Sequence, residues 1–288
     1  MAGASGQLGR ELTRLQWPEQ VTVVAPPESE FDVTDADAVA RRLYEARPDV
    51  VINAAAYTAV DRAEDEPERA RTVNADAVAH LARRADAVGA VLIHVSTDYV
   101  FDGEADGWYV EDDEPNPTGV YGATKLAGEQ LALAADCGLV LRTSWVYGAL
   151  GSNFVRTMRR LAQERDRLGV VNDQRGCPTA ALELARAIRA ILDVDPRPQG
   201  LFHAAAPDDA SWWELAVAAI AEMSSAPEVI VEKLTTDQYP ARARRPMNSR
   251  LSSEKLHATY GVRLAPWRDA LAEVSRELNL PTPAESRT

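Results

Sequence analysis

Short apolar runs alternate with amphipathic stretches along the first half of the chain. Runs of buried-strand length are each followed by a segment whose apolar positions have helical spacing. The predicted strands lie at residues 21–25, 50–54, 91–95 and 139–143, and the predicted helices at 7–15, 36–46, 67–88 and 124–135. Strands that alternate with helices form right-handed βαβ units, so the pattern predicts a parallel sheet covered by helices.

The alternation becomes less regular after about Gly148. Helices are predicted at residues 153–165, 180–192 and 212–223, and short strands at 168–171, 201–204 and 229–233. We therefore expect an α/β protein with a Rossmann-type, doubly wound parallel sheet in residues 1–148. A smaller C-terminal lobe that binds substrate is expected in residues 149–280, with segments that return to the sheet. Residues 281–288 are predicted to form a flexible tail.

Composition limits the classes of partner. The chain has 288 residues, 46% of them hydrophobic, which is enough to bury a large core. The formal charge of −13 argues against nucleic acid or an anionic membrane as partner through a general positive surface. Neither the two cysteines nor the four histidines have metal-ligand spacing, and no signal peptide or membrane-length run is present. We expect a soluble, cytoplasmic protein.

Tyr121 and Lys125 are the strongest indication of chemistry. Residues four apart share one face of a helix, and a nearby ammonium lowers the pKa of a phenol from about 10 toward neutrality. Such a tyrosine can protonate a carbonyl oxygen as a hydride arrives. Thr97 follows the strand at 91–95, at the sheet edge where ligands bind, and can hydrogen-bond the same oxygen. Each motif alone is also compatible with a purely structural role: Tyr121 and Lys125 with an exposed pair on a helix, and the segment around Thr97 with a helix cap or turn.

A glycine-rich loop precedes these motifs. Gly3, Gly6 and Gly9 have the G-x-x-G-x-x-G spacing of a dinucleotide fingerprint, in which a helix N-terminus stabilises a pyrophosphate. Only Met1 and Ala2 come before the loop, although the fingerprint requires a preceding strand at the centre of the sheet. We expect a start assigned too late or a truncated chain, with lower stability and weaker cofactor binding if the strand is missing.

The sequence resembles the dTDP-4-dehydrorhamnose reductase family of extended short-chain dehydrogenases over nearly the whole chain. The resemblance is carried by residues 3–9, 53–61, 95–103, 121–125, 142–148, 173–179 and 245–251, of which the last two blocks are the most specific. It implies NAD(P)H-dependent reduction of the C4 keto group of dTDP-4-dehydro-L-rhamnose to dTDP-L-rhamnose. NADPH is the expected cofactor because no acid directly follows the strand at 21–25, and use of NADH stays open.

The resemblance also implies a set of site residues. The catalytic residues are Thr97, Tyr121 and Lys125. The cofactor-binding residues are Gly3, Ser5, Gly6, Gln7, Leu8, Gly9, Asp32, Val33, Asn53, Ala54, Ala55, Ala56 and Tyr57, together with Tyr121 and Lys125. The substrate-binding residues are Asp98, Tyr99, Val100, Trp145, Arg245 and Asn248. Some family members bind Mg²⁺ between subunits through glutamates, for which Glu11 and Glu183 are weak candidates.

Several alternatives stay open at this level. The small residues after Asn53 also suit tight helix–sheet packing, Asp35 suits a helix cap beside Asp32, and Trp145 suits core filling. The arginines at 242, 244 and 245 suit either a diphosphate or a solvated turn. Rival functions are the reduction of another nucleotide-linked 4-keto sugar, such as a dihydrostreptose precursor, a non-catalytic NAD(P)-binding regulatory subunit, and a sugar-nucleotide epimerase. A homodimer is a further option.

Overall fold

The structure is a computed structural model that describes residues 1–136, 138–194 and 199–280. The predicted tail at 281–288 and Cys137 lie outside these residues. The strands are β1 (Val50–Asn53), β2 (Val91–Thr97), β3 (Gly138–Thr143), β4 (Val146–Tyr147), β5 (Arg167–Val171), β6 (Arg175–Gly176), β7 (Thr179–Ala180), β8 (Gly200–His203), β9 (Ala210–Ser211), β10 (Ile230–Leu234) and β11 (Asn248–Ser249).

The α-helices cover both faces of the main sheet and build the second half of the chain. They are α1 (Gln7–Arg14), α2 (Ala36–Ala46), α3 (Val60–Ala63), α4 (Pro67–Arg71), α5 (Ala77–Val88), α6 (Val120–Leu133), α7 (Phe154–Glu164), α8 (Ala181–Leu192), α9 (Trp212–Ala221), α10 (Glu254–Tyr260) and α11 (Trp267–Leu278). A π-helical segment, Thr72–Asp76, joins α4 to α5, and 3₁₀ turns form at Asp98–Val100 and Thr236–Gln238.

The main sheet is parallel, with strand order β1-β2-β3-β8, so a strand from the second half of the chain completes it. Its strands read as continuous apolar runs because both faces are buried. Val51, Leu92 and Val140 face a core under α2 and α5, whereas Ile93 and Leu141 face the core under α1 and α8. The predicted α/β class and doubly wound parallel sheet are confirmed.

The predicted strand at residues 21–25 is wrong, because this segment is irregular. Val21 and Val24 are 41% and 42% exposed. Beside it, among the residues that the structure describes, Ala2 alone pairs with the outer side of β1. Its N–H donates to the Ile52 carbonyl (2.9 Å), and its carbonyl accepts from the N–H of Ala54 (3.2 Å). A strand forms only where a neighbour completes its ladder, and one bridging residue is too short to pair with residues 21–25.

A cavity of about 640 Å³ lies at this side of the sheet. Met1, Val23, Phe31, Leu43 and Val51 are among the residues that line it. The second half of the chain packs α7 and α9 around the parallel β5–β10 pair, beyond the carboxyl ends of the main strands. None of the helices in residues 1–136, 138–194 and 199–280 is long and apolar enough to cross a membrane.

Candidate active site

Thr97, Tyr121 and Lys125 meet at the carboxyl end of β2. Thr97 is the last residue of β2, and its hydroxyl donates to Asp98 Oδ1 (3.0 Å) and hydrogen-bonds with the phenol of Tyr121. Tyr121 and Lys125 lie one turn apart on α6 and are 9% and 2% exposed. The structure thus brings together the three side chains that the sequence singled out as catalytic.

Gly122 allows α6 to approach the 3₁₀ turn that follows β2. A Cβ atom at Gly122 would lie 2.1 Å from the carbonyl oxygen of Tyr99, which is far inside van der Waals contact. The close approach packs the rings of Tyr99 and Tyr121 edge to face, with centroids 5.3 Å apart. The start of α6 is fixed by Glu64, whose carboxylate accepts the backbone N–H of Val120 (2.8 Å).

Burial dominates the titration of this site. It raises the pKa of Tyr121 to about 12, against a hydrogen bond with Thr97 that lowers it, while the nearby Asp98 raises it further. It lowers the pKa of Lys125 to about 8, opposed by the charge of Glu129. The expectation that Lys125 brings the Tyr121 pKa toward neutrality is wrong in this structure. The Lys125 ammonium instead faces β2, where Nζ lies 2.7 Å from the Val95 carbonyl oxygen.

Helix α6 makes two buried contacts that were not predicted from the sequence. His94 in the middle of β2 contacts both Lys125 and Asn53, through Nε2 (3.3 Å) and Nδ1 (3.1 Å) respectively. Arg142 on β3 forms a two-pronged ion pair with Glu129, both side chains being at most 2% exposed. A polar residue in the apolar run of each strand, His94 in β2 and Arg142 in β3, was the available signal, because a buried polar or charged group needs a partner.

The π-helical segment ties the cofactor side of the site to α6. Asn74, within that segment, accepts the N–H of Tyr57 (2.8 Å) and donates to the Tyr57 carbonyl (3.1 Å) and to the hydroxyl of Thr124 (3.1 Å). The phenol of Tyr57 donates to Glu66 (2.9 Å). π-Helical turns are frequent at functional sites. Here the segment fixes the loop after β1 against the catalytic helix.

The glycine loop has the geometry that a pyrophosphate requires. Gly3 has φ +76°, and a Cβ there would lie 2.5 Å from the backbone of Ala54, while a Cβ at Gly9 would lie 2.0 Å from the Gly3 carbonyl oxygen. Gly6 is the N-cap of α1 and has no side chain to satisfy the first N–H groups of that helix. These N–H groups, of Gln7, Leu8 and Gly9, are free of intrahelical partners by their position. The residues therefore fit a dinucleotide phosphate.

The remaining cofactor candidates differ in exposure. Ser5 is exposed, and Ala54, Ala55 and Ala56 are partly exposed on the loop after β1. Leu8 and Val33 are buried in the cores on the two faces of the sheet. Asp32 is exposed and accepts the N–H (2.8 Å) and hydroxyl (2.7 Å) of Thr34. Asp35, not Asp32, caps α2 by accepting the N–H groups of Asp37 and Ala38.

A second cavity, of about 850 Å³, lies between the 3₁₀ turn that carries Tyr99 and the second half of the chain. Tyr99, Trp212, Arg245 and Met247 are among the residues that line it. Arg245 donates to Asp61 through one Nη atom (2.8 Å), and its other Nη atom is buried with no partner in the described residues. An unsatisfied guanidinium donor facing a cavity is suited to an anionic ligand.

The other substrate candidates are used mainly within the protein. Val100 is fully buried in the core formed with Phe101 and Leu251, so it packs rather than lining the cavity. The amide of Asn248 donates to the carbonyls of Ala105 and Gly107 (both 2.7 Å) and holds that loop. Asp98 is 2% exposed, and burial raises its pKa to about 6 against hydrogen bonds from Ser249 and Thr97.

Trp145 stacks on another tryptophan. Its ring lies 3.6 Å from that of Trp212, nearly parallel, and Trp212 lines the larger cavity. A Cβ at Gly176, the last residue of β6, would lie 2.4 Å from the Trp145 ring, so this position has to be a glycine or the ring has to shift. Trp145 has φ +47°, a conformation that costs energy for a residue with a side chain. The Trp145 ring thus packs against Trp212 and helps to fix the position of Trp212 in the cavity wall.

The arginines at 242, 244 and 245 do not form one cluster. Arg242 pairs with Asp65, Arg244 with Glu104 (3.0 Å) and Arg245 with Asp61. Arg242 and Arg244 are about 60% exposed, whereas Arg245 is 22% exposed. Arg245 is therefore the arginine best placed for a diphosphate.

Glu11 and Glu183, the weak Mg²⁺ candidates, are each held by an arginine of the same helix. Glu11 binds Arg14 (2.6 Å) and Glu183 binds Arg186 (2.6 Å). The same arginines also bind Glu277 and Glu273 on α11. Within the described residues no group of three or more His, Cys, Asp or Glu side chains could hold a metal ion. Carboxylates neutralised in this way do not fit a metal site.

The parallel sheet, the glycine loop and the buried hydroxyl, phenol and amine define a protein of the short-chain dehydrogenase/reductase class. A family model described as "RmlD substrate binding domain" matches residues 1–280. The chain therefore belongs to the RmlD family of oxidoreductases.

Curated relatives match over most of their length. The dTDP-4-dehydrorhamnose reductase of Escherichia coli (strain K12) is 42% identical over 96% of each chain, and that of Mycolicibacterium smegmatis is 45% identical over 95% of this chain and 83% of its own. A solved dTDP-4-dehydrorhamnose reductase from Clostridium acetobutylicum superimposes with a TM-score of 0.92 at 39% identity, covering 96% of this chain and 98% of that chain. The Bacillus anthracis reductase in complex with NADP gives a TM-score of 0.91 at 34% identity, covering 96% and 97%.

Proposed function

We propose that this protein is an NAD(P)H-dependent oxidoreductase that reduces the C4 keto group of dTDP-4-dehydro-L-rhamnose to dTDP-L-rhamnose, the last step of dTDP-rhamnose biosynthesis. The observation that carries the proposal is the buried set of Thr97, Tyr121 and Lys125 at the ligand-binding edge of the sheet. Full-length matches to dTDP-4-dehydrorhamnose reductases support the substrate.

The cofactor is proposed to be NADPH, with NADH as the alternative. Gly3, Gly6 and the first N–H groups of α1 would hold the pyrophosphate, and Asn53 to Tyr57 would lie beside the nicotinamide half. When bound, the nicotinamide supplies the hydride. The relative from Bacillus anthracis was solved with NADP, which supports this choice. Asp32 is exposed, and it is proposed to meet the adenosine portion.

Tyr121 is proposed as the proton donor. Its pKa of about 12 keeps the phenol protonated across the physiological range, which is the form that reduction requires. Thr97 hydrogen-bonds the carbonyl oxygen and polarises it, beside the phenol that it contacts. Lys125 supplies positive charge that stabilises the phenolate left after proton transfer, and it binds the nicotinamide ribose.

The sugar nucleotide is proposed to occupy the cavity of about 850 Å³. The unpartnered Nη atom of Arg245 would bind the diphosphate, and the part of Trp212 that lines the cavity would pack against a ring of the ligand. Tyr99 lines the cavity and touches Tyr121, so it joins the nucleotide-binding region to the reacting centre. Asp98, Trp145 and Asn248 would act by shaping this region. Turnover is expected to survive EDTA because Glu11 and Glu183 are engaged by arginines.

The test is the loss of NADPH absorbance when dTDP-4-dehydro-L-rhamnose is formed in place by the preceding pathway enzymes. Turnover with this sugar, above that with a panel of other nucleotide-linked 4-keto sugars, is the expected result. Preference for another sugar would replace the substrate, and NADPH binding without turnover on any sugar would favour a regulatory subunit. Sedimentation of the same sample with and without EDTA measures whether a homodimer forms.

A further inference from the structure

His94 lies at the centre of the site, and the proposed reaction leaves it without a role. It is fully buried in β2, with its ring between Asn53 on β1 and Lys125 on α6. Burial, followed by the charge of Lys125, holds the pKa of His94 well below its ordinary value, so the imidazole is neutral. A neutral imidazole carries one proton, on either Nδ1 or Nε2, and the choice decides what it offers to Lys125.

The Asn53 side chain determines which ring nitrogen of His94 carries the proton. The backbone N–H of Ala55 donates to Asn53 Oδ1 (3.2 Å), which fixes the orientation of the amide. The amide nitrogen Nδ2 then faces Nδ1 of His94 at 3.1 Å. Because an amide nitrogen can only donate, Nδ1 of His94 is the acceptor. The proton of the neutral ring is therefore on Nε2.

Nε2 of His94 lies 3.3 Å from Nζ of Lys125, so an N–H group points at the amine. A neutral amine has a lone pair that can accept this N–H while it donates to the Val95 carbonyl (2.7 Å). An ammonium has no lone pair and would set two donors against each other. The alternative tautomer would require the Asn53 amide to rotate and lose its bond from Ala55.

We propose that His94, oriented by Asn53, is a positioning residue that disfavours the ammonium form of Lys125 relative to the amine, so that the ammonium gives up its proton readily. The inference rests on the proposed function for its consequence in turnover. The titratable or charged groups on α6 and on elements packed against it include Tyr121 and Glu129 on α6 itself, Arg142 on β3, Asp98 and Tyr99 on the 3₁₀ turn, Asp61 and Arg62 on α3 with Glu64 directly after it, Arg69 and Arg71 on α4 with Glu66 directly before it, and Asp76 in the π-helical segment. Among them Glu129 opposes the bias.

The bias has a chemical use. Tyr121 loses its proton to the substrate oxygen in each turnover, and the phenolate has to regain one. A lysine that releases its proton near pH 8 can return it across one helical turn far more readily than a lysine of ordinary pKa, and it regains a proton from water afterwards. Burial is the largest cause of the low pKa, and the His94 N–H adds to it.

The experiment is a pH titration of Lys125 in the free enzyme by NMR of ¹³C-labelled lysine. The chain contains only three lysines, at positions 125, 233 and 255, so the Lys125 signal can be assigned by its loss in Lys125→Met. In His94→Phe the ring volume and burial are nearly kept, but no N–H faces the amine. We expect the titration midpoint to rise by about one pH unit, the size of one ordinary hydrogen bond.

The sign of the shift separates the two tautomers. If Nε2 instead accepts from the ammonium, His94→Phe removes a stabilising contact and the midpoint falls. An unchanged or lower midpoint therefore overturns the proposal. His203→Phe is the matched control, because His203 is also fully buried, lies on β8 and packs edge-on against Phe101. It should leave the Lys125 midpoint unchanged.

Asn53→Asp is a second test of the same hydrogen bond, for use if His94→Phe does not fold. A carboxylate can only accept, so it would place the His94 proton on Nδ1 and turn the Nε2 lone pair toward Lys125. The midpoint should rise, and by more than in the double variant that also carries His94→Phe. Equal rises in the two backgrounds would mean that the new charge acts through space alone, which also overturns the proposal.

The basic limb of kcat/KM against pH should move with the NMR midpoint, since it reports groups of the free enzyme. Wild-type protein with no reductase activity but a shifted Lys125 titration in His94→Phe would overturn the proposed function and leave this inference standing. Active wild-type protein with no shift would do the reverse.

Discussion

The two sides of the main sheet differ in how completely they are built. On the β2–β3 side, β2 and β3 each have two neighbouring strands, and the buried Arg142 is paired with Glu129 (2.7 Å). On the outer side of β1, Ala2 alone among residues 1–136, 138–194 and 199–280 continues the ladder, and a cavity of about 640 Å³ lies beside it. The catalytic groups are carried by the first side and the glycine loop by the second.

The proposed catalytic groups are therefore held by a fully packed part of the sheet, whereas the glycine loop is held by a part that borders a cavity. Burial on the catalytic side is strong enough to move the pKa of Tyr121 to about 12 and that of Lys125 to about 8. On the cofactor side the ammonium of Met1 donates to the Val24 carbonyl (2.6 Å) within the cavity, and burial lowers its pKa. Changes on the catalytic side should therefore cause losses, whereas the cofactor side has room for gains.

The largest expected effect is on turnover. Tyr121→Phe removes the phenolic proton and little else, because the ring keeps its edge-to-face packing on Tyr99. We expect kcat to fall by about 10²–10⁴-fold, the usual contribution of a general acid. NADPH binding, measured by fluorescence titration, should be nearly unchanged.

Tyr147→Phe is the control for loss of a buried phenol. Tyr147 is 1% exposed, and its hydroxyl donates to the Trp267 carbonyl (3.0 Å) away from the reacting centre. This variant should lose about 1 kcal/mol of stability and keep its turnover. Turnover in Tyr121→Phe at the level of Tyr147→Phe would reject Tyr121 as the acid.

The next effect is on stability of the catalytic side. Glu129→Gln leaves the guanidinium of Arg142 buried without its counter-charge, so the free energy of unfolding should fall by about 3–5 kcal/mol. Urea unfolding of the apoprotein measures the change. The same substitution also removes the charge that raises the Lys125 pKa, so the Lys125 titration should move to lower pH.

Glu164→Gln provides the matched surface control. It breaks the ion pair with Arg160, in which both side chains are about half exposed or more, and should cost about 0–1 kcal/mol. Glu129→Leu combined with Arg142→Met should recover much of the lost stability, because no charge is then buried alone. A Glu129→Gln variant as stable as Glu164→Gln would mean that water reaches the Arg142 site.

The cofactor side should respond in the opposite direction to added structure. An N-terminal extension of four apolar residues, Val-Ile-Val-Ile, can enter the cavity and pair with β1 in extended form. Burial of each side chain contributes about 1.5–3 kcal/mol and ordering each residue costs about 1–2 kcal/mol. A net gain of about 2 kcal/mol should raise Tm by about 4–8 °C. NADPH affinity should rise as the glycine loop gains support.

A Gly-Ser-Gly-Ser extension is the control, since it has the same length and nothing apolar to bury. It should leave Tm and NADPH affinity unchanged. Equal Tm values for the two extended proteins and the unextended protein would mean that the cavity does not accept a strand. The cofactor side could then not be stabilised by added structure.

The sequence predicted those strands and helices whose own hydrophobic pattern is enough to identify them. Runs such as β2 and β3 are mostly apolar because helices cover both faces, and the three helices predicted after Gly148 lie within one or two residues of α7, α8 and α9. The pattern did not predict α10 and α11. The strand at residues 21–25 failed because strand formation depends on a neighbour, which local pattern does not contain. Val21 and Val24 have strand propensity but no ladder to join.

The site shows the same limit. Thr97, Tyr121 and Lys125 could be named from motif spacing, since each position is fixed by the end of a strand or a helical turn. His94 and Glu129 could not, because their partners come from other elements and only the fold brings them together. The pKa of Tyr121 was predicted in the wrong direction, since a motif gives the nearest charge but not the extent of burial.

The smallest expected effect tests burial on the catalytic side through the pH dependence of stability. Burial raises the pKa of Asp98 to about 6, from an ordinary value of 3.8. A raised carboxyl pKa favours the folded protein below the pKa of the unfolded chain, and this contribution is lost as pH rises through about 6. Asp98→Asn stays neutral, so it should match wild type at pH 4 and exceed it by about 1–3 kcal/mol at pH 8.

Asp35→Asn supplies a control of the opposite sign. Asp35 is exposed at the N-cap of α2, and hydrogen bonds from the N–H groups of Ala38 and Asp37 lower its pKa. Its contribution is present above the pKa of the unfolded chain, ordinarily 3.8, and is lost as pH falls below that value, so Asp35→Asn should be less stable than wild type at pH 6 and 8 and approach it as pH falls through 4. Urea midpoints at pH 4, 6 and 8 for the three proteins separate the two signs. An Asp98→Asn difference that does not grow between pH 4 and pH 8 would mean that Asp98 is ionised and paired in the folded protein, and that this side of the sheet is less dry than its neighbours imply.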